Sequence, residues 1–260
     1  MTQHKTVQVD FPGGHTLNVL EHRARAHDFS TWEREAVEAV LAYLDRGMVV
    51  YDVGAEEGEF SALWGKAVGP DRVHLFEPTP SVWPNIRAVW QANFGHSPRP
   101  GDVFYALPGG MFHGFVSDRS VAFGPPGGRR HLSDGWPACS EGRLQPDSRF
   151  SVVHERPDIQ SITIDDYARL YAPPDVVVCD VEGAECLVVE GAPQVLTIKR
   201  PEIFVSVHAD PAIERHRSAA GVQSTRARFF DLMHHHVYVG RLISTDHEEH
   251  WQFTPSERAR

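Results

Sequence analysis

Apolar and polar positions alternate in short blocks along this chain, and most blocks resolve into strands or helices. Val7, Val9 and Phe11 alternate with polar residues, then Pro12-Gly13-Gly14 intervenes, then Leu17 and Val19 resume the alternation. That pattern predicts a hairpin over 5–20. A polar loop is expected over Glu21–Asp28. Ser30 and Glu33 read as a capping box that starts a helix running to about Leu44, with Val37, Val40, Leu41 and Leu44 as its apolar stripe. Gly47 suits the left-handed position that ends it.

A continuous apolar run, Met48–Tyr51, stops at Asp52. Gly54 and Gly58 follow, then a helix from Glu59 or Phe60 to about Val68, then the run Val73–Phe76 ending in Glu77 and Pro78. This is a parallel βαβ unit that can hold a nucleoside. Further on, the pattern predicts a helix over 82–93 and strands over 103–107 and 112–117. A short strand leading into a helix is expected around Ile162–Tyr167, and buried strands at Val176–Cys179 and Ile203–Val207. Helices are expected from Cys186 to about Glu190 and from about Ser224 to His234, and a final strand over His236–Ile243. The tail from Thr245 reads as polar and charged, with no strand or helix assigned to it. Residues 119–160 are rich in Gly, Pro, Arg, Ser and His and keep no period, so a long insert or lid loop is expected there. The alternation of strand and helix gives a doubly wound α/β sheet of about seven strands, mostly parallel, with helices on both faces. No linker divides the 260 residues, so one domain is expected. Its parts are an N-terminal hairpin and helix (1–47), a cofactor-binding half (48–118), the insert (119–160) and a substrate half (161–260).

Composition sharpens this picture by exclusion. With 41% hydrophobic and 23% charged residues, a core of ordinary size forms without staples. A net charge of -10 argues against nucleic acid as partner. Cys139, Cys179 and Cys186 form no metal-binding spacing, and the latter two read as buried reduced thiols. The N-terminus has no apolar signal core and no run is long enough to span a bilayer, so a cytoplasmic protein without a membrane partner is expected.

The chemistry concentrates at strand ends. Gly54 allows a tight turn, Gly58 allows close backbone approach at a helix start, and Glu77 can accept from ribose hydroxyls. The third glycine of a dinucleotide fingerprint is missing. Glu56 and Glu57 would repel a pyrophosphate there, so a phosphate-free, cationic adenosyl cofactor, S-adenosylmethionine, fits better. Asp180 and Glu182 follow one buried strand and His208 ends the next, which places all three on one rim of the sheet. Two chemistries fit them. One is proton removal from a hydroxyl by His208 or a carboxylate. The other is a divalent cation, Mg2+ or another, bound by Asp180, Glu182 and His208. Trp32, Trp64 and Trp90 read as core. Trp136 is a candidate for stacking on a sugar ring, and Arg129-Arg130-His131 reads as an exposed cluster.

The segments YDVGAEEG, HLFEPTP, SITIDDY, DVEGAECLVVEGAPQVL and RPEIFVSVH, in this order over residues 48–243, resemble the FkbM family of S-adenosylmethionine-dependent methyltransferases. The resemblance implies a Rossmann-like class I methyltransferase fold. By the same resemblance, Asp52, Gly54, Glu56, Gly58 and Glu77 contact the cofactor, and Asp118 accepts from the adenine amino group. Glu56 stands where the family usually has Asn. The expected reaction is O-methylation of a sugar, oligosaccharide or glycosylated natural product. A nucleotide-dependent oxidoreductase or a non-catalytic binding module on the same fold are the alternatives. The hairpin could form a homodimer interface or cover a sheet edge.

Overall fold

Strand-forming apolar runs and amphipathic helices alternate in the computed structural model much as the pattern predicts. The structure describes residues 4–79, 81–96, 99–101, 110–112, 114–118, 121–123, 129–131, 160–208, 224–246 and 248–259. Strands β1 (Thr6–Phe11) and β2 (His15–Leu20) pair antiparallel as the expected hairpin. The hairpin forms a two-stranded sheet of its own. Leu17, Val19 and Leu20 are buried with residues of the helix layer, and Asn18 exchanges hydrogen bonds with Asn93 (2.9 and 2.8 Å).

Two expectations at the N-terminal end are corrected. The polar segment after β2 forms a short helix, α1 (Glu21–Ala26), rather than a loop. The capping box does not form. Asp28 Oδ1 accepts from both the amide and the hydroxyl of Ser30 (3.1 and 2.6 Å), which closes a turn one step earlier. Helix α2 (Arg34–Tyr43) begins only after Glu33, which adopts a left-handed conformation with φ +50°.

The central unit follows as β3 (Val50–Val53), α3 (Glu59–Val68), β4 (Val73–Phe76) and α4 (Trp83–Phe94). Short strands come next: β5 (Arg99–Gly101), β6 (Gly110–Phe112), β7 (Gly114–Val116), β8 (Val121–Phe123), β9 (Arg129–His131) and β10 (Gln160–Ile162). Strands β7, β10, β8 and β9 make a separate four-stranded sheet, so the insert is not all loop. The candidate strand 103–107, Trp136 and Cys139 lie outside the described residues. The second half runs α5 (Ile164–Leu170), β11 (Val176–Cys179), α6 (Glu185–Glu190), β12 (Glu202–Val207), α7 (Thr225–His235), β13 (Tyr238–Thr245) and β14 (Glu249–Pro255). Thr163 and Ser224 cap α5 and α7 by accepting from Asp166 and Ala227 amides.

The main sheet has eight strands in the order β13-β14-β12-β11-β3-β4-β6-β5. Strands β5, β6, β4, β3, β11 and β12 pair in parallel, while β14 is antiparallel to both β12 and β13. The supposed tail is therefore a strand inserted inside the sheet. Its buried positions, His250, Phe253 and Pro255, are spaced three and then two apart, so no clean alternation marks it in sequence.

Every residue of β3, β4 and β12 is buried, as parallel strands covered on both faces require. Adjacent residues enter opposite cores. Val50 joins Leu63, Trp64, Ile86 and Trp90, while Tyr51 joins Tyr167, Val188 and Phe253. Cys179 and Cys186 are buried and form no disulfide, as expected.

Candidate active site

The carboxyl ends of β3, β4, β11 and β12 open onto a cavity of about 550 Å³, closed on one side by α2 and the start of β14. That volume lies within the range of roughly 300–1,000 Å³ common for small-ligand pockets.

At the turn after β3, Gly54 has φ +92°, and a Cβ there would sit 1.7 Å from the Asp180 carbonyl oxygen. The glycine thus serves two ends: it turns the chain and lets β3 lie against the end of β11. The amides of Gly54 and Ala55 donate to the Phe76 carbonyl (2.9 and 3.1 Å), tying the turn to β4. Asp52 is buried, and its carboxylate accepts from the Ser61 hydroxyl on α3. Burial raises its pKa to about 6, with Ser61 opposing the shift.

Glu77 faces the same turn. Its Oε2 accepts from the Glu56 amide (3.0 Å) and its Oε1 from the Thr79 amide (2.7 Å). Each oxygen keeps a second lone pair for a hydroxyl donor. Burial pushes the Glu77 pKa up to about 7 against those hydrogen bonds.

Three expectations shift here. Glu56 has φ +47°, a conformation that Asn tolerates better than Glu. Its side chain turns to Arg23 of α1 (2.6 Å), which also holds Glu59 (2.6 Å), and His22 lies 2.8 Å from Glu57. Of the acids expected to repel a phosphate, Glu56 is therefore matched by the Arg23 cation of α1, and Glu57 has the His22 ring as its neighbour. Gly58, in turn, is absent from the cavity wall. A Cβ there would meet Ile86 of α4 at 3.2 Å, so this glycine makes room for a helix. Asp118 also lies outside the wall, accepting from Ser117 Oγ (3.1 Å), while Val116 lines the cavity.

Across the cavity, Asp180 and His208 are brought together. His208 Nδ1 lies 2.8 Å from Glu185 Oε1, and its Nε2 is 3.6 Å from Asp180 Oδ1 and 3.8 Å from Glu248 Oε2. Burial lowers the His208 pKa, but the Glu185 hydrogen bond and the charges of Glu185, Asp180 and Glu248 outweigh it and raise the value to about 9. The three carboxylates around the ring favour its charged, imidazolium form. Enclosure in the wall raises the Asp180 carboxyl well above the usual range, with Glu33, Glu248 and Glu182 adding to the shift and His208 opposing it. Glu182 lines the cavity but is exposed, on a turn with φ +53°. The expected cation ligands, Asp180, Glu182 and His208, are not assembled as a ligand set. Among the described residues, the donor atoms that converge are those of Glu33, Glu248 and His250.

Sequence reading missed several wall residues. Glu33 was assigned to a cap, and Glu248, His250 and Trp251 to a tail. Trp32 was placed in the core, yet it lines the cavity beside Phe60 and stacks on His27 at 3.7 Å. Trp64 and Trp90 are buried as expected, although Trp64 also reaches the cavity wall.

These groups give an unusual pH dependence. Burial, followed by the neighbouring charges of Glu248, Glu56 and Asp246, raises Glu33 to about 7, as burial does Glu77. Both carboxyls bind protons in the folded state that the unfolded chain has released above about 4.5. His208 does the same between 6.5 and about 9. Stability contributed by His208 is thus complete below 6.5 and lost as pH rises through 9, and the carboxyls change in the same direction between 4.5 and 7. Urea unfolding is expected to show a clear fall in midpoint between pH 6.5 and pH 9. A His208→Gln variant should flatten the upper part of that fall, worth on the order of 3 kcal/mol. A wild-type midpoint that rises from pH 6.5 to 9 would contradict this assignment.

The sheet order, with one antiparallel strand between the last two parallel ones and a glycine turn after β3, is that of the class I methyltransferase fold. The chain belongs to the FkbM family of S-adenosylmethionine-dependent methyltransferases: the Methyltransferase FkbM domain matches residues 52–254. Among solved structures, it is similar to the methyltransferase FkbM from Methylobacillus flagellatus KT. The two are 18% identical with a TM-score of 0.46, over 80% of this chain and 43% of that one, so this chain spans less than half of that protein. Precorrin-6y C5,15-methyltransferase from Geobacter metallireducens GS-15 is 12% identical with a TM-score of 0.47, over 85% of this chain and 87% of that one. Aeropyrum pernix fibrillarin, solved with natively bound S-adenosyl-L-methionine, is 10% identical with a TM-score of 0.44, over 96% and 98%. No curated protein matches the chain significantly in sequence. Among the described residues, no helix is long and apolar enough to cross a membrane.

Proposed function

We propose that this chain is an S-adenosylmethionine-dependent O-methyltransferase acting on a hydroxyl of a sugar, oligosaccharide or glycosylated natural product. The observation that carries the reading is the continuity of the cavity: the Gly54 turn and Glu77 line one part of it, and Asp180 another. A nucleoside held at the first part lies beside a proton acceptor at the second.

The residues present fit the cofactor. Glu77 offers free lone pairs to a ribose diol, and Val53, Ala55, Phe76 and Val116 give apolar walls for a base. Acidic groups rather than phosphate-binding cations surround the space, which suits a sulfonium and an ammonium. The bound cofactor supplies an electrophilic methyl group. Asp180, on the cavity wall across from Glu77, takes the acceptor's hydroxyl proton. His208 fixes the Asp180 carboxylate and is itself held by Glu185. Trp32 and Trp251 offer aromatic faces to an apolar sugar surface.

Methyl transfer from labelled cofactor to a panel of free sugars, oligosaccharides and glycosides tests the reading. Label transferred only to amines or carboxylates would overturn it. A Glu77→Gln variant is expected to bind S-adenosylhomocysteine about tenfold to a hundredfold more weakly by calorimetry, because one acceptor oxygen becomes a donor facing amide donors. Unchanged affinity would remove Glu77 from the cofactor site.

A further inference from the structure

Glu33, Glu248 and His250 come from separate parts of the chain: the residue before α2, the turn before β14, and the second residue of β14. All three line the cavity, and one donor atom from each lies within 4.8 Å of the others. Nitrogen and oxygen ligands around a first-row divalent cation stand roughly 3–4.4 Å apart, so shifts of a few tenths of an ångström suffice. We propose that Glu33, Glu248 and His250 form a binding site for a divalent first-row transition-metal cation in the cavity wall.

Geometry around the imidazole supports this independently of the carboxylates. His250 is buried, and its Nδ1 lies 3.0 Å from Ser206 Oγ on the neighbouring strand β12. With the Nδ1 proton donated to that hydroxyl, the lone pair resides on Nε2, which is 3.9 Å from Glu248 Oε1. An outer partner that fixes the ring and its tautomer is what metal-binding histidines commonly have. Glu248 uses its two oxygens differently: Oε2 lies 3.8 Å from the His208 ring, while Oε1 faces His250.

The donor set selects the cation. One imidazole with two carboxylates favours manganese, zinc or cobalt over magnesium or calcium, which prefer oxygen alone. Three protein ligands leave positions open to oxygens from solvent or an acceptor. A cation here would hold the hydroxyl oxygens of a sugar acceptor, a role that rests on the O-methyltransferase reading, whereas cation binding does not. The competing occupant is a proton shared between Glu33 and Glu248, since two carboxylates this close repel when both are charged.

The full chain, stripped with chelator and titrated with MnCl2, decides between them. Electron paramagnetic resonance of the free ion is expected to show one saturable equivalent per chain, with nitrogen-14 modulation from an imidazole in the pulsed spectrum. Glu33→Gln and His250→Gln should each weaken binding at least tenfold, and His250→Gln should abolish the modulation. Glu38→Gln, an exposed acid on α2, should change nothing. No saturable equivalent in the wild type overturns the site, as does a bound ion without nitrogen coupling. Calorimetry with S-adenosylhomocysteine runs in parallel. Cofactor binding without manganese binding removes the metal site alone, and manganese binding without cofactor binding removes the methyltransferase reading alone.

Discussion

An Asp180→Asn variant is expected to lose methyl transfer by roughly a hundredfold to ten-thousandfold while still binding S-adenosylhomocysteine as the wild type does. Asn fills the same volume and keeps the backbone carbonyl that lies against Gly54. What disappears is a proton acceptor and the counter-charge that His208 faces at 3.6 Å. Neither the Glu77 hydrogen bonds nor the amides that tie the turn to Phe76 involve this side chain. The loss should therefore fall on kcat, with little change in cofactor affinity. Single-turnover transfer from labelled cofactor separates the two. Turnover within threefold of wild type would mean that no proton passes through Asp180.

His208 was legible from sequence as a site residue but not in its state. A histidine after an apolar strand signals a rim position, and nothing local reveals that three carboxylates will surround it. Glu185 sits five residues after Asp180 in sequence, on the first turn of α6, and reaches His208 only because β11 and β12 are neighbours. Glu248 arrives from the other end of the chain through β14. Pairing between distant segments set the ring's charge.

The parallel strands were legible because burial on both faces demands continuous apolar runs, as in Val73–Phe76 and Val176–Cys179. Strand β14 was hidden for the opposite reason. HWQFTP carries polar residues on positions that meet the cavity or solvent, so its period is diluted by the very residues that line the site. The helix α2 start was misplaced because Ser30 and Glu33 have the spacing of a capping box, while Asp28 offered Ser30 a shorter-range partner. Glu33 was thereby freed to face the cavity. Both segments line the cavity, where local preference yields to the shape of the wall.

A Gly54→Ala variant should be the most damaging single methyl addition in the chain's cofactor half. Two costs combine. A non-glycine residue at φ +92° costs about 1–2 kcal/mol. The added carbon would also lie 1.7 Å from the Asp180 carbonyl oxygen and 2.8 Å from its carbon, which are backbone atoms that no rotamer change can move. Relief requires β3 and β11 to separate at their ends, where the Asp180 amide donates to Val53 (2.9 Å). A total loss of roughly 3–5 kcal/mol is expected, at the upper end for point mutants. For a chain of this size that lowers the melting temperature by about 10 °C. Gly183→Ala provides the contrast, because Gly183 has φ +102° but nothing within 4 Å of an added Cβ. It carries the backbone strain without the collision and should cost only about 1 kcal/mol. Gly58→Ala should fall between, since its Cβ meets Ile86 at 3.2 Å. Thermal unfolding of the three variants checks the order directly. Equal losses for Gly54→Ala and Gly183→Ala would show that the strand ends do not approach so closely. Because Asp180 moves with the β11 end, Gly54→Ala should also weaken cofactor binding and transfer together, unlike Asp180→Asn. That joint loss would mark the turn and the acid as one mechanical unit.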